Sequence, residues 1–221
     1  MNLSKKRILV ISVRLMGLPE NIVKTLQSKG AEVDYFDERP NNSFIIKALI
    51  RIKRNLISFY TDRYHKKLIN TTKARDYDYI IVIKGESLSS DTIKELLKHH
   101  PKAKSIIYHW DSIENNPNGK IINPYFDKVV SFDKKDCEKY NLSFLPLFYY
   151  EEYKYVADSL QIPKYDMLFI GTMHSDRYKL VTGIAEQIIK KKGKCYLYFF
   201  FQGRIMYLRY RVIHPLSLIH I

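Results

Sequence analysis

Short apolar runs recur along the chain, separated by segments whose apolar residues return every three or four positions. Continuous runs of this kind predict strands buried on both faces, and the longer spacing predicts the helices that cover them. Ile8–Val13 reads as the first strand. Pro19 suits the first turn of a helix whose apolar stripe is Ile22, Val23 and Leu26, and Gly30 stops it. Ala31–Phe36 is a second strand, closed by Asp37–Pro40, and further strands are predicted at Tyr79–Ile83, Ser105–His109, Lys128–Phe132 and Leu142–Leu145. Ser90–His100 carries a Ser90 cap, Asp91 in the first turn and Ile93, Leu96 and Leu97 on one face, so it predicts an amphipathic helix that Pro101 ends. This alternation predicts an α/β protein with a doubly wound parallel sheet, a Rossmann-like domain over residues 1–150.

A shift in composition follows, with Tyr, Glu and Lys crowding Tyr149–Tyr155, and residues 151–164 read as a linker. The pattern then restarts. Met167–Ile170 is a strand, Gly171 and Thr172 turn the chain, Asp176–Lys190 has helical spacing through Leu180, Ile184, Ile188 and Ile189, and Cys195–Phe201 is another strand after Gly193. Residues 165–215 are therefore expected to begin a second Rossmann-like domain without completing it. The last six residues, 216–221, resemble a translated sequencing-library adaptor and are set aside from the fold.

A hydrophobic share of 46% with 27% charged residues is enough for a sizeable core and excludes general disorder. The apolar runs are too short for a membrane span and the first residues do not form a signal peptide, so a cytoplasmic address is expected. Cys137 and Cys195 stand far apart and the seven histidines lack ligand spacing, so neither a disulfide framework nor a metal site is expected. His99 and His100 read as surface residues at a helix end.

Lys and Arg number 37 against 23 Asp and Glu, and the net charge of +14 calls for an anionic partner. Residues 41–75 hold nine basic residues and one acid, Asp62, a surplus of +8. Within them Ile45, Leu49, Ile52 and Leu56 repeat at helical spacing beside a stripe of Lys47, Arg51 and Arg54. Such a helix suits an anionic membrane surface, or a core-packed helix with a solvated basic side. No motif for reading nucleic acid accompanies the charge, so nucleic acid is not expected as a partner.

In open parallel sheets ligands bind beyond the carboxyl ends of the strands, so the residues directly after each apolar run carry the chemistry. These are Arg14–Leu18, Lys84-Gly85-Glu86, Trp110-Asp111-Ser112, Asp133, and Gly171-Thr172 with Arg177. Lys84 and Glu86 flank a glycine that would let a substrate approach the backbone, although a tight turn with solvated charges explains them as well. Trp110 beside Asp111 can stack a sugar ring and accept a hydroxyl proton, or can be a packed tryptophan beside a capping carboxylate. Gly171 and Thr172 precede a helix start with Arg177, which favours a diphosphate. No GxGxxG or GxxxxGK[ST] pattern is present.

From about Tyr77 onwards the chain resembles bacterial glycosyltransferases of the two-Rossmann-domain GT-B type, in the group of CgeB-like and capsule or lipopolysaccharide biosynthesis proteins. The likeness runs through Tyr77-Asp78-Tyr79-Ile80 with Lys84-Gly85, Tyr108-His109-Trp110-Asp111, Phe126-Asp127-Lys128-Val129, Ser131-Phe132-Asp133, Leu145-Pro146-Leu147, and Tyr165-Asp166-Met167-Leu168-Phe169-Ile170-Gly171-Thr172 with Arg177. The resemblance implies transfer from a nucleotide sugar to a glycan or lipid-linked acceptor, with no cofactor or metal. It implies Asp111 as base or acceptor contact, Lys84, Gly85, Glu86 and Trp110 on the acceptor side, and Gly171, Thr172 and Arg177 at the donor phosphates. The family's acidic donor-binding residues should lie beyond residue 215, so this polypeptide is expected to be inactive alone. The alternative is a non-catalytic flavodoxin-like ligand-binding or regulatory module.

Overall fold

The computed structural model of the chain describes residues 2–15, 17–43, 46, 49, 54–150, 163–172, 176–201 and 208. It divides into two compact units, Met1–Phe148 and Tyr149–Ile221. In the first, six strands form one sheet: β1 (Arg7–Ser12), β2 (Glu32–Asp37), β3 (Tyr79–Ile83), β4 (Lys104–His109), β5 (Lys128–Ser131) and β6 (Ser143–Phe144). Their order is β2-β1-β3-β4-β5-β6 and every neighbouring pair is parallel. Helices α1 (Leu18–Ser28), α2 (Ser58–Thr72), α3 (Ser90–His99), α4 (Asn118–Ile122) and α5 (Lys134–Tyr140) make the crossovers among the described residues.

Alternation along the strands builds two cores, one on each face of the sheet. Leu9, Ile11, Ile80, Val82 and Ile107 point to one face, where Leu68 and Ile69 of α2, Ile93 and Leu96 of α3 and Ile122 of α4 cover them. Ile8, Val10, Ile83, Tyr108 and Val130 point to the other, against Ile22 and Leu26 of α1. The helix after β1 and the helices after β2 and β3 thus lie on opposite faces. Strand order reverses between β1 and β3, and in open α/β sheets ligands bind beyond the carboxyl ends of the strands at such a switch point.

Register fixes what stands there. Asp37, Ser12, Ile83 and Tyr108 lie in one row across β2, β1, β3 and β4. Glu38 N–H donates to the Ser12 carbonyl and Lys84 N–H to the Tyr108 carbonyl, so the ladder continues one residue past the strands.

Several expectations are corrected. Helix α3 is capped by Ser89, whose hydroxyl accepts from Thr92 N–H, and not by Ser90. His100 is buried with its ring edge-on to Tyr77, while His99 is exposed. Leu56 is 69% exposed, and its neighbour Ile57 is the buried residue. Ile45, Ile52, Lys47 and Arg51 lie outside the described residues, as does the side chain of Arg54, which opens a 3-10 turn.

The second unit contains β7 (Met167–Thr172), α6 (Arg177–Lys190) and β8 (Cys195–Phe200), with β7 and β8 parallel. Gly171 and Thr172 are the last residues of β7 and not a turn after it. Val181 and Ala185 of α6 are buried, and Tyr178 meets the ring of Phe199. Leu168, Ile170, Tyr198 and Phe200 remain exposed. Among the described residues no helix is long and apolar enough to cross a membrane.

Candidate functional site at the carboxyl edge of the first sheet

Two loops and a strand end meet at the switch point. After β3, Lys84 (φ 78°) and Gly85 (φ 62°) adopt successive left-handed conformations, which reverse the chain within two residues. For lysine this geometry costs on the order of 1 kcal/mol, so the contacts made there must hold it. A Cβ on Gly85 would stand 2.6 Å from Ile122 Cδ1 and 3.1 Å from Ile107 Cδ1. The positive φ favours glycine here, and an added Cβ would have to displace the Ile122 side-chain tip beneath it.

The Lys84 ammonium lies 2.9 Å from Glu86 Oε2 and 2.7 Å from Asp111 Oδ2. Arg39, directly after β2, reaches over the end of β1 and donates through Nη2 to Glu86 Oε1 at 2.9 Å. The chain of charges therefore reads Arg39–Glu86–Lys84–Asp111. Its first three members are 6%, 8% and 7% exposed, whereas the Asp111 side chain is 41% exposed. Lys84 and Glu86, expected as acceptor contacts, are buried and paired with each other, and Asp111 is the end of the chain that reaches solvent. Nor does Asp111 cap a helix; its carboxylate is spent on Lys84.

Glu38 locks the same corner from below. Its Oε1 accepts from the backbone N–H of Glu86 at 2.9 Å and of Ser87 at 3.1 Å, and its own carbonyl accepts from Ser87 Oγ and His65 Nε2. Its Oε2 has no hydrogen-bond partner among the described residues. Burial, reinforced by the nearby Glu86 carboxylate, pushes the Glu38 pKa up to about 7. With Glu38 ionised, three carboxylates share the cluster with two cations; a proton on Glu38 balances them.

The loop after β4 is fastened to the loop after β3. Asn116 donates to the Lys84 carbonyl at 2.7 Å, Asn118 to the Gly85 and Leu88 carbonyls, and Ile113 N–H to Asp136 of α5. His109, at the end of β4, is held by Asn123 at 2.7 Å under Gly119, and burial lowers its pKa, so its ring stays neutral and structural. Trp110 is half-buried and packs against the second core. Asp133 caps α5 by accepting from Lys135 N–H, a structural role. Arg14 pairs with Glu20 at the start of α1.

In the second unit, Arg177 opens α6 and donates through Nη1 to the Thr172 carbonyl and hydroxyl at 3.2 and 3.4 Å. Its guanidinium is thereby held over the end of β7. A Cβ on Gly171 would meet the Phe169 ring at 2.8 Å.

Glu38 and Arg39 are the site residues that the sequence reading passed over. The strand-end rule applies to β2 as to the others, and the Asp37-Glu38-Arg39-Pro40 segment was the available signal.

No family model matches the chain, and no curated protein matches it. Its fold is similar to that of an α-glucosyltransferase solved in complex with UDP and a 13-mer DNA containing a central A:G mismatch. The TM-score is 0.57 at 12% identity over 94% of this chain, which spans 59% of the glucosyltransferase chain. A response regulator protein from Burkholderia pseudomallei with a phosphorylated aspartic acid, calcium ion and citrate also matches, at 11% identity over 83% of this chain and 85% of its own; its TM-score of 0.37 carries no weight for the fold. The chain is thus a Rossmann-like α/β protein that shares its fold with a glucosyltransferase.

Proposed function

We propose that the chain is part of a glycosyltransferase that moves a sugar from a nucleotide-sugar donor to a hydroxyl of a cell-surface glycan or lipid-linked acceptor. The observation that supports it best is Asp111, a carboxylate half-open to solvent beside Trp110 and held from behind by the buried Lys84 at the carboxyl edge of a doubly wound sheet. The fold likeness to a glucosyltransferase and the sequence resemblance of the same segments point the same way.

In this reading the acceptor hydroxyl lies against Asp111 and its ring against the free surface of Trp110. The carboxylate takes the hydroxyl proton as the oxygen attacks the anomeric carbon. The bond from that carbon to the diphosphate breaks, and the nucleoside diphosphate leaves with the electron pair. The second unit, taken by itself, offers Arg177 and the N–H groups at the start of α6 as groups suited to the charge of a diphosphate. Lys84 positions Asp111 and keeps its carboxylate beside a cation; Glu86, Arg39 and Glu38 hold Lys84.

The test is release of nucleoside diphosphate from a panel of nucleotide sugars in the presence of an acceptor-bearing bacterial envelope extract. It is run on this chain and on the full-length gene product. Release that depends on extract, with donor affinity weakened about tenfold by Arg177→Ala, is expected. No release from any donor by the full-length gene product would overturn the reading.

A further inference from the structure

The inner face of α2 is fully used by the core. Ile57, Thr61, His65, Leu68, Ile69 and Thr72 are buried at helical spacing along it. The outer face has a different composition. Leu56 and Phe59 are 69% and 82% exposed and Tyr60 46%, and one and two turns further on the same side stand exposed Arg63, Lys66 and Lys67. Spacings of three and four residues put Phe59, Tyr60, Arg63, Lys66 and Lys67 on one stripe of α2, aromatic at its start and cationic beyond, with Leu56 exposed in the 3-10 turn that leads into the helix. Asp62 is the lone acid in residues 41–75. Folding within the first unit explains none of the stripe: no ion pair of Arg63, Lys66 or Lys67 is found among the described residues, and an exposed phenylalanine gains nothing from water.

We infer that this stripe is a docking surface for an anionic lipid bilayer. Leu56 and Phe59 enter the headgroup boundary while Arg63, Lys66 and Lys67 meet lipid phosphates. Charge complementarity selects the occupant: the surplus of +8 over residues 41–75 is more than half of the chain's +14, and polybasic segments gain affinity from each cation near an anionic leaflet. The apolar end decides between lipid and nucleic acid. Exposed Leu56 has no flat face to stack on a base, whereas an aliphatic and an aromatic residue at one end of a basic helix suit an interface that is apolar below and charged above. The inference stands on α2 alone and does not depend on the proposed transfer reaction.

The experiment is flotation of the full chain with vesicles of phosphatidylcholine alone and of phosphatidylcholine with phosphatidylserine, beside a gel-shift with duplex and single-stranded DNA. Binding to the anionic vesicles only is expected. It should weaken on the order of tenfold in Phe59→Ser and by more than that in the Lys66→Glu, Lys67→Glu double variant. All these positions are solvent-facing, so circular dichroism and thermal midpoints should match the parent and separate lost docking from lost folding. Equal partition to both vesicle types, no partition, or partition unchanged by these variants would overturn the inference. So would DNA binding that these variants abolish while the vesicles are ignored.

Discussion

The two ends of the six-stranded sheet carry similar numbers of ion pairs and use them differently. At the amino end, Lys6 meets Asp78 at 2.7 Å, Arg7 meets Glu32 at 3.1 Å and Arg75 meets Asp34 at 2.7 Å, with side chains from 29% to 69% exposed. The first two border an open depression of about 660 Å³ that also includes Lys5, Asp76, Lys102 and Lys104. At the carboxyl end, Arg39–Glu86 and Lys84–Glu86 are under 10% exposed on every member. Distances are alike at the two ends, so distance is not what separates them. Water screens the first set, and each partner there can be rehydrated. The second set has no such exit, which makes its geometry obligatory and lets it aim one carboxylate, Asp111, outward. This hollow therefore lies where the charges are replaceable, and the candidate chemistry lies where they are not.

The contrast is broken or sharpened most strongly at Lys84. Replacing it by Met leaves Glu86 and Asp111 without their shared cation, and a buried pair broken on one side costs about 3–5 kcal/mol. Urea denaturation should show that loss; a midpoint unchanged from the parent would put the carboxyl-end pairs in the same class as the amino-end ones.

Gly85→Ala should cost about 2–4 kcal/mol, since it adds a left-handed alanine to a clash with Ile122. A neutral substitution would show that the turn is free to move and that Lys84 is not held by it.

Glu38 gives a pH-dependent version. Its pKa rises from 4.5 to about 7 on folding, so the folded state holds the proton more tightly than the unfolded one. Its contribution is fully present below pH 4.5, declines as pH rises through 7, and the loss amounts to roughly 3 kcal/mol once complete. Glu38→Gln mimics the protonated form and should remove this slope, matching the parent in acid and exceeding it in alkali. Parallel stability curves for the two proteins would contradict the buried placement of Glu38.

The smallest effect belongs to the amino end. Lys6→Met should leave the denaturation midpoint where it was, because both Lys6 and Asp78 stay in water. A clear drop there would erase the distinction between the two ends.

Most strands were legible because both faces of the sheet are buried, which turns each strand into a continuous apolar run. Tyr79–Ile83 is found as read, and β1, β2, β4 and β5 differ by a residue at one or both ends. Helix α2 was not, because its buried face carries Thr61, His65 and Thr72 among the apolar residues and so lacks a clean stripe. Helices α4 and α5 are too short and too polar to show a period. The strand-end rule found Lys84, Glu86 and Asp111 but not their roles, since burial separates support from contact and is set by neighbours distant in sequence. Arg39 and Glu86 are 47 residues apart, and they meet only because β2 and β3 both flank β1. That order is a property of the sheet and is not visible in any local pattern.

Asp111→Asn, assayed for nucleoside diphosphate release and for donor affinity in the full-length gene product, is the most direct measurement of what the carboxyl edge is for. Loss of a base that takes the acceptor proton lowers transfer by about 10²–10⁴-fold, with donor affinity within about twofold of the parent. A transfer rate within about threefold of the parent would show that the buried charges aim Asp111 at nothing that reacts.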